Sequence, residues 1–278
     1  MDALRPLLTT YAYNILGSIE DARDVVQDAF LKFMTVQKDI EDKKAYLIRT
    51  VINLSINAKK KLQRTLASYP GEWLPEPIDT EQPDTAIRRK EVLSYSLMVL
   101  LEKLNPKQRA VFILKEAFDY EHEDIAAALD ITVENSRKLL SRSKSILKED
   151  TPVEESIPVD YLNKYVAVIQ SGDTKQLEKM LNKDISFVSD GGGKAKAAIN
   201  PVYGSINVSA MLLGIYKKFY HDDSLKLEEA VINHQPALLY YVDGKLINCQ
   251  VFAFKNGVIE NVFFIRNPDK LKFLEKNS

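Results

Sequence analysis

Between Met1 and Leu66 the chain carries one glycine, Gly17, and one proline, Pro6. A stretch this long with so little punctuation has few foldings open to it other than long helices, because the strands of a compact domain are short and need frequent turns. The apolar spacing agrees. Leu4, Leu8, Tyr11 and Ile15 fall on one helical face, and Gly17 stands where a left-handed C-cap belongs. Ser18 followed by Asp21 resembles a capping box with a shortened acid, and it opens a second helix. That helix places Val26, Phe30 and Phe33 on one stripe and Asp24, Asp28 and Lys32 outside it. A third helix is expected from about Asp42, with Tyr46, Val51, Leu54 and Ala58 available for burial.

Between Tyr69 and Pro83 the periodicity collapses. Pro70, Gly71, Pro75, Pro77 and Pro83 break it, and the only tryptophan, Trp73, sits among them. Prolines favour an extended path, and a tryptophan there points to a segment that docks on something. Helices resume near Thr85 and run to about Lys148. A polar stretch bracketed by prolines, Thr151 to Pro158, marks a second boundary. Beyond it two helical patterns, Asp160–Ser171 and Thr174–Leu181, precede strand-type runs at Ile185–Ser189, Leu225–Asn233, Ala237–Val242, Lys245–Lys255 and Val258–Arg266. Asp243-Gly244 and Asn256-Gly257 lie between pairs of these runs, a strong hairpin signal. A helix near Val208–Tyr220 interrupts the strands, and Asn267-Pro268 starts a final one.

Length and charge narrow the functional classes. At 278 residues and ~150 residues per domain, about two domains are expected. The single cysteine, Cys249, excludes a disulfide framework and a multi-cysteine zinc site and fits a reducing compartment. The N-terminus does not read as a signal peptide, apolar runs are too short to span a bilayer, and the cytoplasm is the expected location. The formal net charge of −1 conceals a polarised layout. From Lys43 to Arg64 there are seven Lys/Arg and no acids, whereas Glu20 to Asp28 holds four acids against Arg23 alone. Such asymmetry makes separate surfaces for an anionic and a cationic partner.

Asn105 followed by Pro106 is an N-cap with a first-turn proline, opening a helix expected to bury Val111, Phe112 and Leu114. A short helix, Glu123 to Leu129, follows; Asp130 makes a turn, and Thr132 caps another helix. On that last helix Leu139, Leu140, Ile146 and Leu147 form the apolar stripe, and Glu134, Asn135, Arg137, Lys138, Ser141, Arg142 and Lys144 face away. A helix cationic and amide-rich on its free face, behind a short alanine-containing helix, matches a helix-turn-helix reader of the major groove.

The motif Leu104-Asn105-Pro106-Lys107-Gln108-Arg109-Ala110-Val111-Phe112, then Asp124-Ile125-Ala126 and the Thr132–Lys144 helix, resembles region 4 of an extracytoplasmic-function sigma factor. Leu16-Gly17-Ser18, Asp21-Ala22 and Asp24 to Phe30 resemble region 2.2, the family's contact with the RNA polymerase β′ coiled coil. Ala45 to Asn53 resembles regions 2.3 and 2.4, which open and read the −10 element; Tyr46 stands where the family usually carries Trp and keeps an aromatic platform. Trp73-Leu74-Pro75-Glu76-Pro77, Asp190-Gly191-Gly192-Gly193-Lys194 and Asn267-Pro268-Asp269-Lys270-Leu271 look like signatures of the subgroup with a fused SnoaL-like domain.

The resemblance implies a multidomain fold. Two all-α sigma domains, the second with a helix-turn-helix, precede an α+β SnoaL-like or nuclear-transport-factor-like cone with a curved antiparallel sheet. The implied layout is 1–66 for region 2, 67–84 for a linker, 85–150 for region 4 and 151–278 for a regulatory domain. The implied function is an alternative sigma factor whose activity the last domain modulates in cis. Its implied partners are core RNA polymerase (β′ coiled coil and β flap), promoter DNA, its own C-terminal domain and a small ligand in the cone, with no membrane partner, metal or cofactor. The expected polymerase contacts are Asp21, Asp24, Gln27, Asp28 and Phe30. Lys43, Lys44, Tyr46, Arg49, Asn53, Lys59 and Lys60 are expected at the −10 element, and Thr132, Asn135, Arg137, Lys138, Ser141 and Arg142 at the −35 element. Trp73, Pro75, Asp190, Gly191, Gly192, Gly193, Lys194, Asn267 and Asp269 are the expected regulatory contacts.

Two rivals remain at this stage, a polymerase-independent ligand-sensing regulator and an enzyme of the ketosteroid-isomerase-like class with a helical docking module. The enzyme would need an Asp, a His and a Tyr to converge in the cone, with His234, Tyr161, Tyr203, Tyr240 and Asp190 as the candidates. The spacing shows no Ser/His/Asp order and no paired carboxylates, so no catalytic residue is expected.

Overall fold

The computed structural model describes residues 2–36, 40–81, 87–147, 160–220 and 224–274. Among these, 2–68, 87–93 and 97–147 form one compact unit, and 69–81, 94–96, 160–220 and 224–274 form another. The helical restart near Thr85, the boundary at Thr151–Pro158, His221 and the last residues of the tail lie outside the described residues.

In the first unit, helix α1 (Arg5–Leu16) stops at Gly17, whose φ of 78° releases the chain in the left-handed region. Helix α2 (Ile19–Thr35) starts where the Ser18 hydroxyl accepts from Asp21 N at 3.2 Å, and α3 (Lys43–Leu66) where Asp42 accepts from Ala45 N at 2.9 Å. The buried stripe of α3 is Leu47, Ile48, Val51, Ile52, Ser55, Ile56 and Lys59. Tyr46, Leu54 and Ala58, expected in the core, are only half-buried. The stripe is rotated because it ends on a charged residue that a hydropathy pattern assigns to solvent.

Helix α4 spans Tyr95–Leu100, and α5 (Pro106–Phe112) opens on a complete capping box between Asn105 and Gln108. Helices α6 (His122–Leu129) and α7 (Val133–Leu147) flank Asp130, which takes the left-handed conformation at φ 52°. Phe112 is half-buried and Ile146 is 44% exposed, against expectation, while Ser136, Ser143 and Leu147 are buried. Small serines let α7 approach its neighbours closely, so its inner face is narrower and less apolar than the pattern implies.

The second unit carries α8 (Tyr161–Ser171), α9 (Thr174–Met180) and α10 (Ser205–Phe219), with strands β1 (Leu181–Asp190), β2 (Val202–Tyr203), β3 (Leu225–Ile232), β4 (Gln235–Val242), β5 (Lys245–Lys255) and β6 (Val258–Ile265), and a short α11 (Pro268–Leu271). The sheet order is β2-β1-β6-β5-β4-β3. Phe187, Leu238, Tyr240, Phe252, Val262 and Phe264 of the sheet form one core with Leu162, Tyr165, Leu177, Val208 and Leu212 of the helices. This is the α+β arrangement expected, with one correction. β1 and β6 run parallel, so the sheet is mixed rather than antiparallel. The two strands are not hairpin neighbours; a long connection that includes α10 lies between them, and that length permits parallel pairing.

Asp243-Gly244 (φ 50° and 76°) and Asn256-Gly257 (53° and 75°) form the expected turns. Asn233 and His234, at φ 47° and 63°, make a third turn of the same hand without glycine. Residues 69–81 pack as part of this unit. Asp79 bridges to Ile232, Thr80 N donates to Val231 O and Asn233 N to Ile78 O, both at 2.8 Å, and Ile78 N donates to Asn233 Oδ1 at 2.9 Å. The segment thereby pairs with part of the otherwise open β3 edge.

Candidate functional site

The α2 helix buries Ala22, Val25, Val26, Ala29 and Phe30. Its other side presents Asp21, Asp24, Gln27 and Asp28 to solvent, one turn apart as helical geometry requires. Phe30 is a correction to the expected polymerase contacts: it is 8% exposed, with the Arg5 guanidinium 4.5 Å above its ring. It lies one position after Ala29 on the buried stripe, so packing takes it. Leu31 and Met34 are the exposed apolar residues of this helix, at 54% and 78%.

On α3, Lys43, Lys44, Arg49 and Lys60 are exposed and Tyr46 and Asn53 are half-buried. Tyr46, Arg49 and Asn53 line one surface cleft of about 310 Å³. Tyr46 and Arg49 also line a second, of about 460 Å³, with Tyr120, Asp124, Ala127 and Ala128. Lys59 is the exception and a second correction: it is wholly buried. Its Nζ donates to Leu16 O at 2.8 Å and to Glu102 at 2.9 Å. Arg109, also wholly buried, donates from Nη1 to the same Glu102 carboxylate and from Nε to Asn14 O at 3.0 Å. A buried ammonium persists here because a carboxylate and a helix-end carbonyl replace its water.

Burial alone would push the Glu102 carboxyl up, but Arg109 and Lys59 outweigh it and hold it below the usual carboxylate range. A carboxylate with a depressed folded pKa stabilises the fold above its unfolded value, about 4.3, and that contribution is lost as pH falls through the folded value. The first unit should therefore lose stability below about pH 4. Glu102→Gln should flatten this acid limb in urea midpoints measured across the acid and neutral range, and an unchanged acid limb would remove Glu102 as its source.

On α7, Thr132 at the cap and Asn135, Arg137, Lys138, Ser141 and Arg142 beyond it are all exposed. Thr132 Oγ1 accepts from Asn135 N at 3.1 Å, fixing the helix start. Glu123 lies 3.7 Å from Arg137, and Glu134 lies 2.7 Å from Lys138. Both pairs are solvent-exposed and add little to stability. From α6, His122 Nδ1 meets the buried Ser136 Oγ at 2.9 Å, a brace between the two helices.

In the second unit Asp190 is fully buried at the end of β1. Its Oδ1 accepts from Tyr69 OH at 2.6 Å and Gly192 N at 2.9 Å, and its Oδ2 from Leu74 N at 2.9 Å and Lys270 Nζ at 2.6 Å. Lys270 Nζ also donates to Leu74 O and lies 4.1 Å over the Trp73 ring. Burial, reinforced by the bond to Asp190, pushes the Tyr69 hydroxyl pKa up. Gly192 sits at φ 59°, and a Cβ there would come within 2.2 Å of Asn267 Nδ2; at Gly191 it would meet Ala195 O at 2.1 Å. The turn needs both glycines.

Of the other expected residues, Pro75 and Asn267 are buried, Trp73 is half-buried, and Gly193 is exposed. Lys194 pairs with Asp269 at 2.5 Å on the surface. Lys270 and Tyr69 were missed as participants, although Lys270 lies inside the Asn267–Leu271 motif. The enzyme-like set does not converge. Asp190 pairs with Ile265 on the sheet face opposite the core, His234 is exposed in a turn, and Tyr203 is 62% exposed. Tyr161 donates to Met180 O and Tyr240 to Gln250. Among the described residues no cluster of His, Cys, Asp and Glu could hold a metal ion, and no helix is long and apolar enough to cross a membrane.

An acid-faced helix, a long cationic helix beside it and a helix-turn-helix further along define a promoter-recognition subunit of RNA polymerase. The family comparisons give the same class, with Sigma-70 region 2 matching residues 1–65 and Sigma-70 region 4 matching 94–147. The chain belongs to the sigma-70 family of RNA polymerase sigma factors, in its extracytoplasmic-function group. It is 29% identical to the ECF RNA polymerase sigma factor SigJ of Mycobacterium tuberculosis, over 97% of this chain and 91% of that protein. It is 34% identical over 134 residues to the RNA polymerase sigma-E factor of Streptomyces coelicolor, covering 47% of this chain and 71% of that one. The crystal structure of SigJ superimposes with a TM-score of 0.78 at 26% identity, over 98% of this chain and 97% of the other. Proteins of this family bind core RNA polymerase and promoter DNA, and the family is not a class of enzymes.

Proposed function

We propose that three helical faces divide the work of promoter recognition and that the second unit controls them from within the same chain. The acidic face of α2 (Asp21, Asp24, Gln27 and Asp28) meets basic residues on the β′ coiled coil, and region 4 also meets the β flap. Lys43, Lys44, Tyr46, Arg49, Asn53 and Lys60 capture the separated −10 strand, by stacking and edge hydrogen bonds for bases and by cations for the backbone. Thr132, Asn135, Arg137, Lys138, Ser141 and Arg142 serve the −35 duplex. One observation carries the reading furthest: all six of these residues are exposed at the cap or along α7 while Ser136, Ser143 and Leu147 hold the helix from behind. A reader helix in a major groove has this division.

The test is a swap of Arg137, Lys138, Ser141 and Arg142 for the residues of another sigma factor, followed by in vitro transcription with core polymerase on a promoter library. Base contacts should each cost about 1–3 kcal/mol on removal and shift −35 preference, whereas phosphate contacts weaken all sequences alike. Unchanged preference would remove α7 as the reader. For control in cis, the supporting geometry is the Asp190 cluster, which ties residues 69–81, the connection between the two sigma regions, into the α+β unit.

A further inference from the structure

The inner face of the sheet in the second unit holds polar atoms that packing does not explain. Both side-chain polar atoms of Asn248, the Tyr220 hydroxyl and Nε of Arg266 are buried and have no hydrogen-bond partner among the described residues. Asn248 is 0% exposed and Tyr220 1%. Buried polar groups are normally paired, and leaving one unpaired costs stability. One such atom is a local matter; four atoms on three side chains at one place share a cause.

The strand registers bring them together. Tyr240 of β4 stands opposite Asn248 of β5 and belongs to the core between sheet and helices, so Asn248 points to the same side. Gln250, two residues on, shares that face: its Oε1 accepts from Tyr240 OH at 2.5 Å and its Nε2 donates to Tyr165 OH of α8 at 2.8 Å. Two amides therefore sit side by side on one strand, and the protein bonds only one of them. Between β5 and β6 Cys249 pairs with Ile265, which sets Arg266 opposite Asn248 one step along. The Arg266 guanidinium lies 5.7 Å from the Phe219 ring at the end of α10, and its Nη1 donates to Lys196 O at 2.6 Å. Tyr220, next in the chain, sets its ring 4.8 Å from that of Tyr240. Burial pushes the Tyr220 hydroxyl pKa up and the Arg266 charge pulls against it, as a cation within electrostatic reach does.

These groups specify the chemistry of an occupant. Arg266 Nε, Tyr220 OH and Asn248 Nδ2 are donors gathered around one cation, the pattern that recognises a carboxylate. Asn248 Oδ1 can only accept, and an ionised carboxylate has no proton to give it, so the occupant also needs a hydroxyl. The Tyr220, Tyr240 and Phe264 rings supply an apolar wall for its carbon body. We infer that the inner face of the α+β unit binds a small hydroxycarboxylate. Its carboxylate accepts from Arg266, Tyr220 and Asn248 Nδ2, and its hydroxyl donates to Asn248 Oδ1. This binding goes beyond promoter recognition and does not depend on it. Arg266 N and Asn267 N both donate to Asp190 O, at 2.8 and 3.0 Å, so an occupant held by Arg266 adjoins the cluster that secures residues 69–81.

The test is calorimetric titration of the full chain with lactate, mandelate and 3-phenyllactate, each beside its counterpart without the hydroxyl: propionate, phenylacetate and 3-phenylpropionate. At least one hydroxy acid should bind, and at least about tenfold more tightly than its counterpart. Arg266→Gln and Tyr220→Phe should each weaken that binding at least about tenfold. Asn248→Leu should abolish the preference for the hydroxyl. It should also raise the urea midpoint of the free chain, because it removes a buried amide that the protein leaves unbonded. A residue kept for binding and one kept for folding give opposite signs in that pair of measurements.

Tyr220→Phe keeps the ring and removes only the hydroxyl, so it decides the matter if Asn248→Leu or Arg266→Gln fails to fold. Three results overturn the inference: no binding by any of the three hydroxy acids, equal binding of each acid and its counterpart, or affinities that Tyr220→Phe leaves unchanged. Lowered urea midpoints in Asn248→Leu and Tyr220→Phe, with no acid bound by the unaltered chain, would assign these groups to a hydrated structural network instead.

Discussion

Replacing Asp24 and Asp28 together with lysine is expected to abolish stable binding to core RNA polymerase while leaving helix content unchanged. Both carboxylates are exposed, one turn apart, on a helix whose opposite side is filled by Ala22, Val25, Val26 and Ala29. Neither takes part in the packing, so the fold has no reason to respond. At the proposed interface the two lysines would face the basic residues assigned to meet the aspartates. Losing one partner of a buried charged pair costs about 2–5 kcal/mol, and reversing two adds like-charge repulsion. The expected loss is at least about a thousandfold in affinity, measured by competition with the unaltered chain for labelled core enzyme. Undiminished competition would show that this face of α2 is not where polymerase binds.

Asp190→Ala is expected to be the most disruptive single substitution in the second unit. Asp190 is the common acceptor for a phenol, two backbone amides and an ammonium, and all of its contacts are buried or partly buried. Removing it takes the carboxylate away from Lys270, 5% exposed, and leaves that ammonium buried beside the Leu74 carbonyl and the Tyr69 and Trp73 rings. Breaking a buried pair from one side costs about 3–5 kcal/mol. Trp73, the only tryptophan, reports the event directly because the Lys270 ammonium lies 4.1 Å above its ring. Its emission should shift, the urea midpoint of the second unit should fall, and promoter activity of the full chain should rise as residues 69–81 come loose. Unaltered emission with an unaltered midpoint would mean that Asp190 does not hold the segment.

The elements that could be read from sequence are those where a local residue has one job. Gly17, Ser18, Asp42 and Asn105 mark helix ends because caps have narrow chemical requirements, and Asp243-Gly244 and Asn256-Gly257 mark turns because left-handed backbone does. Asn233-His234 escaped because neither residue is a glycine and Pro236 distracts from the strand that follows. Position along the chain said nothing about which strands lie side by side, so the parallel β1–β6 pair was not legible. The candidate surfaces show the same divide. Exposed acids on α2 and exposed cations on α7 follow from helical spacing alone. Lys59, Arg109 and Phe30 did not, because their burial depends on partners such as Glu102, Asn14 and Arg5 that lie elsewhere in the sequence.

The docked segment also has a metric consequence. Residues 69–81 are thirteen links of the connection between the two sigma regions, and a free extended chain spans at most ~3.3–3.6 Å per link. While those links are pinned along β3 and around Asp190, about 45 Å of contour length in the connection between the two sigma regions is held to a fixed path. A turn of duplex DNA is about 34 Å, so the contour held in this way exceeds one full turn. Under the proposed control in cis, releasing these links would let the two sigma regions separate further, so the α+β unit would act by setting distance rather than by blocking a surface.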